Sequence, residues 1–223
     1  MKVSIVIPTL NEATGIVASL QTMQVWREKC IELILVDGGS TDTTVELAKP
    51  WVDLIVASKP GRALQMNAGA KQATGNCLLF LHADTQLSVN GLNQLNVALA
   101  KGAQWGRFDV QIVGQSFMLR VVSSCMNQRS KLTSIATGDQ AIFVRRALFE
   151  CIGGFPDQVL MEDIALSNVL RQKYKPVCLP GPALTSGRRW ESNGVWKTIF
   201  LMWRLRWLYW RGVEPAKLKE LYK

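Results

Sequence analysis

Cys77-Leu78-Leu79-Phe80-Leu81-His82-Ala83-Asp84 runs from an unbroken apolar stretch directly into a histidine and a carboxylate. The apolar part is too short for a buried helix and shows no alternation, so it reads as a strand covered on both faces. Its end carries Asp84 to the rim of a sheet, where a carboxylate suits a hard divalent cation. Asp37, after Leu33-Ile34-Leu35-Val36, and Glu162-Asp163, opening a helix-compatible segment, also stand at element edges. Ligands of open α/β sheets bind at the carboxyl ends of the strands, so these acidic groups are expected to converge there.

Outward from that strand, short apolar runs at Val3–Ile7, Ile31–Val36 and Leu54–Val56 alternate with segments suited to helices at about 12–25, 42–50, 62–73 and 88–100. This rhythm predicts an α/β fold, a mainly parallel central sheet with helices on both faces. Pro8 and the Gly38-Gly39-Ser40 turn end two strands, and Thr41 or Asp42 is placed to cap the helix that follows. Further on, the pattern predicts a strand at Gly106–Val113, a helix at 116–129, a strand at Gln140–Val144, a short helix at Arg146–Cys151 and a helix at Asp163–Gln172. No Pro/Gly/Ser linker, repeat or low-complexity tract divides the chain. Residues 1–190 are therefore expected to form a single domain, with 191–223 a basic, Trp-rich helical appendage.

With 223 residues, 48% of them hydrophobic, the chain is globular rather than disordered. Cysteines at 30, 77, 125, 151 and 178 are odd in number and lack metal-ligand spacing, which predicts buried thiols in a reducing compartment. Met1-Lys2 leads straight into Val3-Ser4-Ile5-Val6-Ile7-Pro8, which reads as a first strand and lacks the long apolar region and cleavage site of a signal peptide.

The net charge of +9 suits nucleic acid, anionic lipid or a phosphorylated substrate, and its distribution discriminates among them. Basic residues at 188, 189, 197, 204, 206 and 211 share one stretch with a single acidic residue, Glu191, and five of the eight tryptophans. On a helical wheel Trp196, Ile199, Phe200, Trp203, Trp207 and Trp210 form one aromatic side, flanked by Lys197, Arg204 and Arg211. Residues 195–211 would rise about 25 Å, short of a bilayer core. That segment is expected to lie on an anionic membrane surface, at the cytoplasmic face of the plasma membrane, with a packed homodimer helix as the alternative. No nucleic-acid-binding motif accompanies the charge, so nucleic acid is not an expected partner. The Ile7–Glu12 junction lacks the glycine fingerprint of a dinucleotide-binding dehydrogenase.

The opening Val3-Ser4-Ile5-Val6-Ile7-Pro8-Thr9-Leu10-Asn11-Glu12, the run Val36-Asp37-Gly38-Gly39-Ser40-Thr41-Asp42-Thr43-Thr44, His82-Ala83-Asp84 and Glu162-Asp163 resemble, in order, the motifs of glycosyltransferase family 2. The resemblance covers about residues 1–190, and Gly61-Arg62-Ala63-Leu64-Gln65-Met66-Asn67-Ala68-Gly69-Ala70 is similar to a small bacterial branch of the family. It implies the GT-A nucleotide-diphospho-sugar transferase fold, with 1–104 the nucleotide-binding part and 105–190 the acceptor-facing part. It also implies a nucleotide-sugar donor, a UDP-sugar favoured, Mg2+ or Mn2+ as cofactor, and inverting single displacement by a hydroxyl acceptor; taken with the basic aromatic segment, that acceptor is expected to be lipid-linked or membrane-proximal.

Residue by residue, the resemblance implies that the Pro8, Thr9, Asn11 and Glu12 loop holds the nucleotide, although Asn11 alone also reads as a helix cap. Asp37, with Gly38 beside it, can accept from uracil N3–H, whereas Asp42 reads as a cap. Arg62 and Asn67 are expected near phosphate or ribose, Asp84 on the metal, and Ala83 beside it. His82, the sole histidine, is a second ligand, a ribose neighbour or a hydrogen-bonded strand end. Asp163 is the expected general base and Glu162 a substrate or orienting contact, though both also suit a helix's first turn without any chemistry. Gly138 and Asp139 resemble the loop that approaches acceptor and sugar.

Ser186-Gly187-Arg188-Arg189-Trp190 resembles a Gln-x-x-Arg-Trp element with glycine in place of glutamine, which favours single transfer over processive synthesis. Arg189 is then expected near the diphosphate and Trp190 by the acceptor. A nucleotidyltransferase of related fold is the competing enzyme, disfavoured by the lack of a glycine- and basic-rich first loop. A noncatalytic nucleotide-sugar or membrane-binding protein is the competing reading outside enzymes.

Overall fold

Alternation at single-residue resolution builds the sheet. In β1 (Val3–Thr9), Val3, Ile5 and Ile7 enter one buried cluster while Val6 enters another, and β2 (Ile31–Asp37) divides Leu33 and Leu35 from Ile34 and Val36 in the same way. The computed structural model describes residues 2–27, 29 and 31–222, the side chains of Val89 and Arg189 excepted. On one face lie α1 (Ile16–Arg27), α2 (Thr44–Ala48) and α4 (Val89–Ala100); on the other lie α3 (Arg62–Gln72), α6 (Arg146–Cys151) and α7 (Glu162–Lys173). The strands are covered on both sides, as near-continuous apolar runs require.

The remaining strands are β3 (Leu54–Ala57), β4 (Cys77–Phe80), β5 (Thr85–Leu87), β6 (Trp105–Val113), β7 (Ile142–Arg145) and β8 (Val177–Ser186), ordered β3-β2-β1-β4-β7-β6-β8-β5. β1 runs parallel to β2 and β4, and β2 parallel to β3, whereas β7 is antiparallel to β4 and β6. Thr9 and Asp37 are register partners, so the first two strands deliver their last residues side by side. α3 lies close against this sheet because Gly69 has no side chain: a β-carbon there would stand 2.5 Å from Val6 and 2.7 Å from Val36.

Helix α1 begins at Ile16 rather than near residue 12, because Asn11 takes a left-handed conformation (φ 54°) and the chain stays irregular through that loop. α2 stops early, and Lys49–Trp51 winds as a 3₁₀ turn containing Pro50, which cannot supply the amide of a continuing helix. β8 is a strand the sequence reading passed over: Pro180, Gly181 and Pro182 look like loop residues, yet they fit where the β6–β8 register shifts.

Past β8, α8 (Arg188–Asn193), α9 (Val195–Trp210) and α10 (Pro215–Tyr222) pack onto the rest of the chain. Leu205 and Leu218 join Ile135, Met161 and Ile164 in one buried cluster. The expectation of uniformly buried thiols is corrected: Cys77 is buried, Cys178 partly so, and Cys125 on α5 (Met118–Thr133) and Cys151 are exposed on helix surfaces. Cys30 lies outside the described residues.

Candidate active site

Two loops leaving β1 and β2 are laced into one rigid floor. The Asp37 carboxylate accepts from the Gly39 and Ser40 amides, each at 3.0 Å, and from the Ser40 hydroxyl at 2.5 Å. The Asn11 amide donates to Ser40 Oγ at 2.9 Å, and Asn11 Oδ1 accepts from the Thr41 amide at 2.9 Å. Asp42 takes the Thr44 amide at 3.0 Å and reaches back to the Ala13 amide at 3.2 Å. Thr43 is the residue at the cap position of α2, so Asp42 both satisfies an early helix amide and ties the two loops.

Gln65 fastens this floor from below. Its buried Nε2 donates to the carbonyls of Thr9 at 2.8 Å and Val36 at 2.9 Å, and a β-carbon on Gly38 would meet the Gln65 amide at 3.0 Å. Asn11 therefore bridges loops rather than capping α1, and Gln65 is a positioning residue that the motif reading left without a role.

Beyond the end of β4, the Thr85 amide donates to the His82 carbonyl at 3.0 Å, and this turn swings His82 and Asp84 to different surroundings. Asp84 lines a cavity of about 200 Å³ with Glu12, Ala83, Ser186 and Arg188. Its carboxylate is exposed and, among the described residues, receives only a 3.4 Å contact from the Thr85 hydroxyl. Burial and then Asp84 push the Glu12 carboxyl above its ordinary value, while Arg188 and Arg62 pull it back. Two facing carboxylates with unspent oxygens fit Mg2+ or Mn2+, ions that need only one or two protein carboxylates when phosphate oxygens supply the rest. Among the described residues, no group of three or more His, Cys, Asp or Glu forms a complete protein cage.

His82 instead joins Gly138, Glu162 and Asp163 around a small cavity walled by Met66, Phe80, Ile142 and Phe155. Asp163 Oδ2 accepts the Gly138 amide at 2.9 Å, and His82 Nδ1 lies 3.4 Å from Asp139 Oδ1. Glu162 is buried, and that burial, then Asp163, raises its carboxyl above the ordinary value against the pull of Arg62. Arg62 is itself open to solvent yet hemmed in by protein. Burial draws its guanidinium down, but Glu162, Tyr222, Asp139 and Asp163 together hold it above its ordinary value.

The four motifs thus arrive at one sheet edge as two adjoining clusters, and residues 4–151 match the family model described as Glycosyl transferase family 2. The chain belongs to this family. The probable glycosyltransferase YdaM of Bacillus subtilis is 26% identical over 99% of the chain and 57% of its own length. Among solved structures, S. aureus TarS 1-349 in complex with UDP is similar with a TM-score of 0.67 at 19% identity, over 83% of this chain and 60% of that one. The mannosyltransferase PcManGT from Pyrobaculum calidifontis, in complex with GDP-Man and Mn2+, gives a TM-score of 0.62 at 22% identity, over 82% and 56%. These likenesses establish the GT-A fold, and the chain spans under two thirds of the length of each of these proteins.

Within this family 2 chain, some expected site residues stand elsewhere. Asn67 does not line either cavity: its Nδ2 donates to the Phe155 carbonyl at 2.8 Å and its Oδ1 accepts the Phe155 amide at 2.9 Å, which commits it to holding the turn before α7. Trp190 packs against the Val110, Ile112, Leu119 and Val122 cluster. The Arg189 side chain lies outside the described residues, and Arg188 is the arginine lining the Asp84 cavity. Arg129 and Arg206, neither of them in a motif, act electrostatically on or with Asp163. Only the basic character of their helices hinted at them.

Proposed function

We propose that this chain transfers a sugar from a nucleotide-diphosphate donor, a UDP-sugar favoured, to an acceptor hydroxyl with inversion. The observation that carries this reading is the pairing of two carboxylate clusters at one sheet edge: Asp84 facing Glu12 and Arg188, and Asp163 fixed by the Gly138 amide beside Arg62. The complexes of structural neighbours with UDP, and with GDP-Man and Mn2+, support a nucleotide-sugar donor.

In this reading the Pro8–Glu12 and Asp37–Gly38 loops hold base and ribose, and Arg62 and Arg188 meet diphosphate oxygens. Asp84, with Glu12 opposite, would hold Mg2+ or Mn2+, which when bound neutralises the charge growing on the leaving diphosphate. The Asp163 carboxylate takes the proton of the acceptor hydroxyl as its oxygen bonds to the anomeric carbon. The bond from that carbon to the diphosphate breaks, and the electron pair leaves on the phosphate oxygen. Glu162 and His82 orient the sugar or acceptor around that step.

A second element of the proposal concerns location. Trp196, Phe200, Trp203, Trp207 and Trp210 are 61%, 62%, 66%, 56% and 78% exposed along one side of α9, beside Lys197, Arg204 and Arg211. Aromatic mass next to cations matches an anionic lipid interface, so the reading places the enzyme peripherally at a membrane, with an acceptor at or near it. No helix among the described residues is long and apolar enough to cross a membrane.

The test is Asp163→Asn. Turnover is expected to fall by roughly 10²–10⁴-fold with nucleotide binding retained, the usual worth of a general base. Unchanged turnover in the folded variant would assign the base elsewhere.

A further inference from the structure

Arg107 and Arg129 are treated differently by the fold. Arg107, fully buried on β6, is saturated: it donates to Ser130 Oγ at 3.1 Å and the Asn127 carbonyl at 3.0 Å, and pairs with Asp109. Arg129, which sits between Asn127 and Ser130 on α5, is half-buried, and its Nε and Nη2 are enclosed with no hydrogen-bond partner among the described residues. Enclosed guanidinium nitrogens left without hydrogen bonds cost stability unless another group satisfies them.

The surroundings say what would satisfy it. α5 ends just before Ile135, and α9 brings Leu205 onto Met161 and Ile164, the residues on either side of Glu162-Asp163. Arg206 follows Leu205, so α5 and α9 each contribute a guanidinium to the region around the α7 N-terminus. Burial, then Arg206, draw the Arg129 guanidinium down to about 10, with Asp163 opposing. Burial draws Arg206 down as well, against Asp163 and Asp139. Neither arginine is among the groups acting on Glu12 in the Asp84 cavity, where Arg188 and Arg62 serve. Arg129 and Arg206 therefore belong to the Asp163 side of the cleft, away from the side assigned to the donor diphosphate.

We propose that the acceptor is anionic, and that its phosphate or carboxylate sits between Arg129 and Arg206 while its hydroxyl meets Asp163. This rests on the reading of Asp163 as the base. An anion there supplies the acceptor oxygens that Nε and Nη2 lack, in the planar two-point geometry that guanidinium groups favour. It also screens the repulsion between the two cations. Because Arg206 shares α9 with the exposed tryptophans, the same seat would serve a soluble phosphate ester or a phosphate presented by a lipid.

The test uses the full chain and two probes, glycerol 3-phosphate in solution and phosphatidylcholine vesicles with or without phosphatidic acid, with glycerol as the neutral control. Arg129→Gln and Arg206→Gln are expected to weaken binding of at least one phosphate probe roughly tenfold or more, with Arg129→Lys retaining part of it and UDP affinity unchanged. Loss in the solution arm assigns a soluble ester, and loss confined to the phosphatidic acid vesicles assigns a lipid phosphate. Arg129→Met should keep or raise the melting temperature, whereas a purely structural arginine would lower it. Asp163→Asn should still bind the probe, so a failure of the base assignment leaves this test readable. Phosphate binding by Arg129→Gln equal to the unmodified chain in both arms, or a loss of UDP binding instead, would overturn the proposal.

Discussion

The Gly138 amide donates to Asp163 Oδ2 at 2.9 Å, so the loop before β7 sets the position of the carboxylate assigned as base. The same glycine touches His82: a β-carbon on Gly138 would stand 2.5 Å from His82 Nε2. One residue without a side chain therefore couples the end of β4 to the start of α7.

Gly138→Ala should force either the imidazole or the loop to move. The expected cost is about 1–3 kcal/mol of stability, the usual penalty of overpacking, together with a loss of turnover larger than the loss of nucleotide affinity. Denaturant unfolding and steady-state kinetics check both. Normal turnover with normal stability would mean that the Gly138 contact does not position Asp163.

Glu162 gives a pH signature. Its carboxyl is raised above its ordinary 4.5 by burial and by Asp163, so the native state holds a proton that the unfolded chain gives up. The associated stability is fully present below the unfolded value and is lost as pH rises through the folded value. Glu162→Gln should therefore gain stability relative to the unmodified chain as pH climbs above about 4.5, and level off once Glu162 is fully ionised. Urea midpoints across that range test the trend; a difference that stays constant with pH would contradict it.

The aromatic face of α9 should be dispensable for folding and required for lipid contact. Trp203→Ser with Trp207→Ser removes side chains 66% and 56% exposed, so the expected change in stability is within about 1 kcal/mol for the pair. Flotation with anionic vesicles should be lost. Flotation that persists would remove the membrane reading, and a concentration-dependent dimer abolished by the same variant would assign the face to a second copy of the chain.

The parallel half of the fold was legible because unbroken apolar runs such as Leu33–Val36 and Cys77–Leu81 mark strands covered on both faces. The carboxylates at their ends were legible for the same reason, since a strand fixes where its last residue emerges. β8 was hidden because Pro180 and Pro182 signal loops, and only the register shift opposite Phe108 and Val110 accommodates them. The contact that Asn67 makes was hidden because motif position does not reveal direction: one turn from Ala63 on α3, its amide meets Phe155, which is 88 residues away in sequence. Arg129 and Arg206 were barely hinted at, because their significance lies in the unpartnered Arg129 nitrogens and in α9 docking beside Asp163, neither of which has a local sequence pattern.

The account depends most on Asp84 as the residue that would hold a divalent ion beside a nucleotide diphosphate. Calorimetric titration of UDP into the unmodified chain and into Asp84→Asn, each with and without Mn2+, tests it directly. The account predicts that Mn2+ strengthens UDP binding to the unmodified chain and that Asp84→Asn, still folded, loses that enhancement. Equal Mn2+-dependent binding in both proteins would contradict it.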